Sequence, residues 1–383
     1  METAARDRVM ELARDEGFPL VRVADASVLG AARETALERQ GRGLLADMGW
    51  MTPEWLERST DPGVFLEGAR SVVLLALPYA PPGEEEDADG RSRGKVARYA
   101  QGRDYHRVFE KKLRRMARTI REELGAEARA TVDYGPLLER PLAARSGMGW
   151  LGKSTMLLVP GFGPWVLLGA IGTTLDLEPD APLRKTCGSC TRCIVACPTG
   201  AISPEGHVVD SRLCISYHTI ENRGAIPREL RAQFGSWIFG CDDCLESCPV
   251  GRWHGEGYPE FAPVDREAAA PELAPLLELD DEAFEERFRG RPIMRAKRAG
   301  LLRNVCVALG NVGTADDVEA LGRAMDDSSP LVRGHAAWAL GRIALRAGVE
   351  DRVAGMLRAR LGEEDDASAR EELELALAEV SPL

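Results

Sequence analysis

The sequence predicts a mixed α/β domain, then a cysteine-rich, metal-bearing segment, then a helical-repeat end. Three observations predict this order. Helix-like and strand-like hydrophobic patterns alternate through residues 1–175; eight of the nine cysteines fall between Cys187 and Cys248; and Ala308-Leu309-Gly310 returns thirty-one residues later as Ala339-Leu340-Gly341. At 383 residues, with 44% hydrophobic content, the chain is long enough for two or three domains with ordinary cores. No apolar run approaches the length that a membrane span needs. The opening METAARDRVMELARDEG is charged and lacks an apolar export core, so the expected compartment is the cytoplasm.

Within residues 1–175, Met1 to Glu16 shows helical spacing, FPLVRVA reads as a strand, and SVVLLALPYA from Ser71 reads as a buried strand. Arg103 to Leu124 is a long basic amphipathic helix. ARATVDYG follows as a short strand, and PLLERPLAARSG from Pro136 as a helix that Gly147 closes. TMLLVPGFGPWVLLGAIGTT reads as two apolar strands around a Gly/Pro turn. Pro81 to Arg93, polar and acidic, is expected to be a surface loop.

Residues 176–253 hold too little hydrocarbon for a core of their own, so metal must supply the cross-links. The third domain, 254–383, opens with a Pro- and acid-rich connector from about His254 to Glu286. In its helical part each repeat copy follows an arginine, Arg303 and Arg333. The period resembles a HEAT-type repeat, which stacks helix pairs into a solenoid. Cys306 falls on this pattern and is read as a buried core residue.

A net charge of -12 would by itself argue against a nucleic-acid partner, but the charge is segregated. Arg91 to Arg121 holds twelve Lys/Arg against two acids, and Arg287 to Arg303 holds seven against none. The acid gathers in EEEDAD near Glu84, between Asp265 and Glu286, and in the C-terminal tail. An acidic protein of this kind can still present basic surfaces.

Cys187, Cys190, Cys193 and Cys197, followed by Pro198, have the C-x2-C-x2-C-x3-C-P spacing of bacterial two-cluster ferredoxins. Cys214 comes next and, after twenty-six residues, Cys241-x2-Cys244-x3-Cys248-Pro249. In those ferredoxins the fourth cysteine of a run ligates the other cube. The rule assigns Cys187, Cys190, Cys193 and Cys248 to one 4Fe-4S cluster, and Cys197, Cys214, Cys241 and Cys244 to the other. Zinc knuckles do not use three such cysteines in a row. Two clusters mean one-electron chemistry. No G-x-G-x-x-G follows a strand, and GMGWLGKST lacks the first Walker glycine at the required distance, so nucleotide cofactors have no support.

The motifs KVARYAQGRDYH, VDYGPLLERPLAARSGMGWLGKSTMLL, CGSCTRCIVACPTGAI, CISYHTIENRG, IPRELR and IFGCDDCLESCP together resemble the epoxyqueuosine reductase family. The likeness runs from about residue 5 to residue 255 and on into the repeats. It implies a cobalamin-dependent iron-sulfur oxidoreductase that performs the last step of queuosine synthesis: the epoxide of epoxyqueuosine, at the wobble base of a tRNA anticodon, becomes an alkene with loss of water. The α/β domain is then a cobalamin-binding domain that takes the corrinoid base-off, with electrons delivered to cobalt by a cluster.

The resemblance also implies site residues. Asp133 is the catalytic acid and borders the corrinoid, together with Arg58, Arg98, Tyr99, Lys153, Ser154, Leu157, Ser216 and Asp242. Arg140 contacts the substrate, and Arg223, Arg295, Lys297 and Arg298 grip tRNA phosphates around a splayed anticodon base. Two positions depart from the family's habit: Tyr99 stands where some relatives have Cys, and Ser154 where Asn or His is more frequent.

Read from the residues alone, Asp133 ends a strand, where ligands gather in open α/β sheets, and a proton donor there needs burial to raise its pKa. Arg140 falls seven residues on, two helical turns away. Asp104-Tyr105-His106 suggests the corrinoid motif D-x-H-x-x-G, but Phe109 replaces the glycine, which leaves His106 a structural or substrate-adjacent role. The expected partners are epoxyqueuosine-bearing tRNA and an unidentified low-potential electron donor, with no membrane and a monomeric chain. Two rivals remain: another corrinoid iron-sulfur reductase of the dehalogenase kind, and an electron carrier with a protein-binding HEAT end.

Overall fold

The structure, a computed structural model, describes residues 2–79, 89–251 and 257–381. Residues 81–88 of the expected surface loop, with all of EEEDAD but Asp89, and the segment boundary at 253/254 lie outside the described residues. The chain forms two compact units: Met1–Pro81, Arg103–Arg212 and Asp243–Ala262 make the first, and Pro82–Gly102, Leu213–Asp242 and Pro263–Leu383 the second. The three-domain division is one of content; these units are defined by contact.

The first unit is built on four strands, β1 (Leu20–Asp25), β2 (Ser71–Pro78), β3 (Ala128–Thr131) and β4 (Val166–Thr173), in the order β1-β2-β4-β3. Every neighbouring pair is antiparallel. The strand-end rule that pointed to Asp133 belongs to parallel sheets and does not apply here. β2 is buried along its whole length, as its unbroken apolar run predicts. Leu74 and Ala170 share one face with Leu142 and Ala143 of helix α3 (Glu139–Arg145). Helix α2 (Tyr105–Leu124) covers β3 and β4, and helix α1 (Glu2–Asp15) packs beside it.

Gly169 explains how closely α2 approaches. A Cβ there would lie 2.7 Å from Phe109 and 2.8 Å from Leu113, so only glycine lets both side chains reach the sheet. The α2 boundaries follow from its caps. Asp104 accepts from the His106 N–H at 3.0 Å, and Gly125 ends the helix in the left-handed conformation. The helix expected from Pro136 begins only at Glu139, because residues 132–138 form a tight loop. Asp133 and Arg140 therefore do not share a helix.

The cysteine-bearing segments join this unit through two short helices that pack together, α4 (Arg192–Ala196) and α5 (Asp243–Glu246). The Trp165 indole N–H donates to the Gly251 carbonyl at 2.8 Å, tying the end of the segment to the base of β4.

The second unit has one continuous apolar core. Helices α6 (Lys297–Val312), α8 (Pro330–Ala347) and α10 (Ala367–Val380) stack in turn, alternating with α7 (Val318–Ala324) and α9 (Glu350–Leu361). The repeated Ala-Leu-Gly is where they touch: a Cβ on Gly310 would lie 2.3 Å from the Trp338 ring. Cys306 is fully buried, as its place in the pattern predicts. The two repeat arginines close their networks. Arg303 donates to the carbonyls of Asn222, Gly224 and His218, and Arg333 pairs with Glu364. No helix among the described residues is long and apolar enough to cross a membrane.

Candidate active site and cluster ligands

All nine cysteines are described and none forms a disulfide. Burial pushes the Cys193 thiol up, and the neighbouring sulfurs of Cys187, Cys248 and Cys190 push it further. Burial raises Cys248 as well, with Cys187 and Cys190 again contributing. These four thiols are mutual neighbours in the first unit, the grouping that the crossed spacing assigns to one cube. Among the described residues no three His, Cys, Asp or Glu side chains close in on a single-ion site, so the grouping is one of proximity, not of coordination geometry. A quartet of reduced, clustered thiols fits a 4Fe-4S cube, whose irons are spread over a larger body than one ion. Of the other set, Cys197 and Cys244 belong to the first unit, and Cys214 and Cys241 to the second.

The second constellation of the first unit is centred on Asp133. β3 ends at Thr131, and the chain turns sharply enough that Asp133 takes a φ of 49°. An aspartate tolerates this region better than most residues, at some cost in strain. The turn aims the carboxylate at the start of α2. Tyr105 Oη donates to Asp133 Oδ2 at 2.5 Å, and His106 Nε2 lies 3.5 Å from the same oxygen. The other imidazole nitrogen, Nδ1, is 2.7 Å from Asp104 Oδ1. From the opposite side the Asp133 backbone N–H donates to Glu139 Oε1 at 2.7 Å.

The electrostatics overturn one expectation. Desolvation would raise the Asp133 pKa, but hydrogen bonds from His106 and Tyr105, then the charges of His106 and Arg140, outweigh it and hold the carboxyl below its ordinary value. Its side chain is 63% exposed, not sealed in an apolar pocket. The protons sit on its neighbours. Burial disfavours a charged His106, yet Asp104 and Asp133 together push its pKa up to about 9. Glu139 is pushed up to about 8, by burial first and then by the negative charge of Asp133.

The remaining expected residues fall in two groups. In the first unit, Arg58 is exposed on the short helix Pro53–Ser59, and Arg140 is exposed at the start of α3. Ser154 and Leu157 are buried on a hairpin whose strands pair Trp150–Leu151 with Leu157–Leu158. The Lys153 carbonyl accepts from the His207 N–H at 2.7 Å, and the His207 carbonyl in turn accepts from Arg39. Among the described residues of this unit, Arg39 Nε, Thr131 Oγ1 and Trp150 Nε1 are buried polar atoms without a partner. Two of these three flank the hairpin. Unsatisfied donors beside Lys153 and the buried Ser154 hydroxyl fit the amide-rimmed edge of a corrinoid.

In the second unit, Asp242 is buried and accepts from the Arg98 backbone N–H at 2.8 Å, so one of its oxygens serves the protein itself. Tyr99 packs on Phe239, and Ser216 lies in the first turn of the short helix Ile215–Ile220. The expected phosphate contacts are less free than the charge map implies. Arg298 is turned inward onto Asp327 and the Leu279 carbonyl, with only 14% of its side chain exposed. Arg223 donates to the carbonyls of Ile220 and Ala296, and Arg295 pairs with Glu221 at 2.8 Å. Lys297 is exposed, at the left-handed start of α6.

Sequence reasoning missed Tyr105, Asp104 and Glu139 as members of the site. Asp104 carried a signal, since an Asp before a helical run is a capping residue that faces the first turn. Glu139 carried none beyond its place beside Arg140.

Comparison with known proteins supplies the context. Residues 60–134 match the family model for epoxyqueuosine reductase QueG, residues 186–251 the 4Fe-4S double cluster binding domain, and residues 293–378 HEAT repeats. The epoxyqueuosine reductase of Xanthomonas campestris pv. campestris is 39% identical over 89% of this chain and 96% of its own length. That of Gloeobacter violaceus is 41% identical over 81% of this chain and 97% of its own. An epoxyqueuosine reductase crystallised with an epoxyqueuosine-modified tRNA-Tyr stem loop is similar with a TM-score of 0.91 and 30% identity, covering 99% of this chain and all of that one. A Bacillus subtilis epoxyqueuosine reductase, solved with its catalytic loop swung out of the active site, is similar at a TM-score of 0.90 and 29% identity, with both chains covered in full. With such identity over nearly the whole length of its relatives, and with the cluster and repeat models falling where the cysteines and helices lie, the chain belongs to the epoxyqueuosine reductase family.

Proposed function

We infer that this chain reduces epoxyqueuosine to queuosine at the wobble position of tRNA. One observation carries the reading: likeness at a TM-score of 0.91, along nearly its whole length, to a reductase crystallised with epoxyqueuosine-modified tRNA. The conversion consumes two electrons and two protons. Both epoxide C–O bonds break, a C=C bond forms, and the oxygen leaves as water.

Two 4Fe-4S clusters and a base-off cobalamin supply the reducing chemistry when bound. Cys187, Cys190, Cys193 and Cys248 would hold one cluster, and the spacing assigns the second to Cys197, Cys214, Cys241 and Cys244. The corrinoid reading keeps Arg58, Arg98, Tyr99, Asp133, Lys153, Ser154, Leu157, Ser216 and Asp242; the unpartnered donors around the Lys153 hairpin support it.

The protein's own part is to deliver protons to an oxygen that becomes a leaving group. At neutral pH Asp133 is a carboxylate and His106 an imidazolium. The proton for the leaving oxygen is therefore stored on His106, held in place by Asp104, and handed over at Asp133. Tyr105 fixes the orientation of the receiving oxygen, and Arg140 binds the substrate next to it. Lys297 and Arg295 remain the phosphate candidates with charge at the surface.

The test is a single-turnover assay with anaerobically reduced, corrinoid-loaded protein and epoxyqueuosine-bearing tRNA. The expected product is tRNA lighter by the mass of one oxygen atom. Unchanged tRNA mass, with both clusters and corrinoid in place, would overturn the reading.

A further inference from the structure

The loop that carries Asp133 is held to its surroundings chiefly by side chains, Tyr105 on Asp133 and Tyr134 on Glu110, with sparse anchoring of its backbone. It makes a left-handed turn at a non-glycine residue, and Tyr134, next in line, is 58% exposed, its ring against His106 and its hydroxyl donating to Glu110 Oε1. Its internal bonds are short-range: the Tyr134 N–H donates to the Val132 carbonyl and the Leu137 N–H to the Gly135 carbonyl, both two residues apart. Gly135 sits against Thr131, where a Cβ would meet Oγ1 at 1.7 Å. Two of its backbone N–H groups donate outside the stretch. Leu138 N–H donates to the Ser59 carbonyl at 2.9 Å, and Asp133 N–H donates to Glu139 Oε1 at 2.7 Å. The second anchors the residue that must face the substrate, and its acceptor is a side chain seated on α3, which packs into the core through Leu142 and Ala143.

We propose that Glu139 is a positioning residue: its carboxyl oxygen latches the backbone of Asp133 and keeps the loop closed on His106 and Tyr105. The proposal rests on the epoxyqueuosine-reducing role of Asp133. The charges support the geometry. Asp133, His106 and Arg140 are the groups facing Glu139. A neutral Glu139 accepts the N–H without setting a second negative charge beside the Asp133 carboxylate. When it ionises, repulsion between the two carboxylates weakens the closed loop even though the N–H bond remains available. The latch therefore loosens as pH rises through about 8.

Two substitutions separate latch from chemistry. Glu139→Gln keeps an acceptor oxygen and cannot ionise; Glu139→Ala removes the acceptor. The prediction is that Glu139→Gln keeps kcat within about threefold and flattens the decline of kcat above pH 8, leaving only the limb set by His106. Glu139→Ala is expected to lose about 30-fold or more in kcat, with KM for tRNA within about threefold. Amide exchange in a peptide covering residues 132–138 should quicken about tenfold in Glu139→Ala holoprotein and not in Glu139→Gln. Iron and corrinoid content report whether each variant has folded.

Unchanged exchange in Glu139→Ala, or a Glu139→Gln protein as slow as Glu139→Ala, sinks the latch. The exchange measurement does not depend on the substrate. Faster exchange in Glu139→Ala, together with a wild-type protein that leaves epoxyqueuosine untouched, would thus count against the reaction and not against the latch.

Discussion

Two glutamates, Glu364 fully buried and Glu139 half-buried, titrate in opposite directions in this chain. Glu364, in the helical repeats, takes two hydrogen bonds from Arg333 and another from Arg360, and its pKa falls to about 2. Glu139, beside Asp133, receives a backbone N–H but no guanidinium bond, and its pKa rises to about 8. Burial raises both; the partner decides the outcome. The repeats set Glu364 between two guanidinium groups, those of Arg333 and Arg360, and such a network holds a shape. The Asp133 site leaves its charges adjustable, with a proton on His106 beside the Asp133 carboxylate, and such an arrangement can move a proton at a cost in local stability.

The largest effects are expected where the chain must hold electrons. Cys193→Ser should lose about half of the bound iron and all turnover, because its thiolate is one of only four for its cube; full iron content would break the ligand assignment. Next comes Asp133→Asn, which should keep iron and corrinoid but reduce single-turnover rate by about a hundredfold or more. Near-normal turnover would move the acid to His106 itself.

Glu364→Gln addresses the other side of the comparison. Breaking a buried ion pair from one side should destabilise the second unit by about 3 kcal/mol in denaturant unfolding, with turnover per folded molecule unchanged. The sign of its pH dependence is fixed: a carboxyl depressed from 4.5 to about 2 adds stability that is full above pH 4.5 and lost as pH falls toward 2. His106 runs the other way. Its imidazolium, raised from 6.5 to about 9, adds stability that is full below pH 6.5 and fades as pH rises through 9, so turnover should fall on that limb too. A pH profile flat to 10 would contradict the proton store.

The smallest effect is expected at the surface. Charge reversal at Arg295 and Lys297 should lower the salt slope of tRNA binding by about two and leave cobalt reduction alone. Adding Arg298 should instead cost stability, because that side chain is already spent on Asp327.

The sequence made regular features legible and contact-made features obscure. Cysteine spacing, the Ala-Leu-Gly period and the apolar run of β2 are repeats along the chain, so they survive translation into one dimension. For Asp133 the residues alone offered a strand-end argument that the antiparallel sheet removes, and the family likeness is what still points to it; neither that sheet nor the φ of 49° is written in a local pattern. Its depressed pKa depends on His106, brought in from twenty-seven residues upstream on another element. Glu139 sits near in sequence, yet its role required a helix that begins later than Pro136 suggested. Arg298 looked available until Asp327 was seen to face it.

The interleaving of the two compact units has a consequence for biogenesis. Six stretches alternate, so the polypeptide passes between units five times before it ends. The unit that holds Cys187, Cys190 and Cys193 is not complete until Ala262 has left the ribosome, because Cys248 arrives in its last stretch. On the ligand assignment proposed above, iron loading of that first cube waits until about two-thirds of translation is done, and a nascent chain halted before Cys248 would carry three of that cube's thiols and not the fourth.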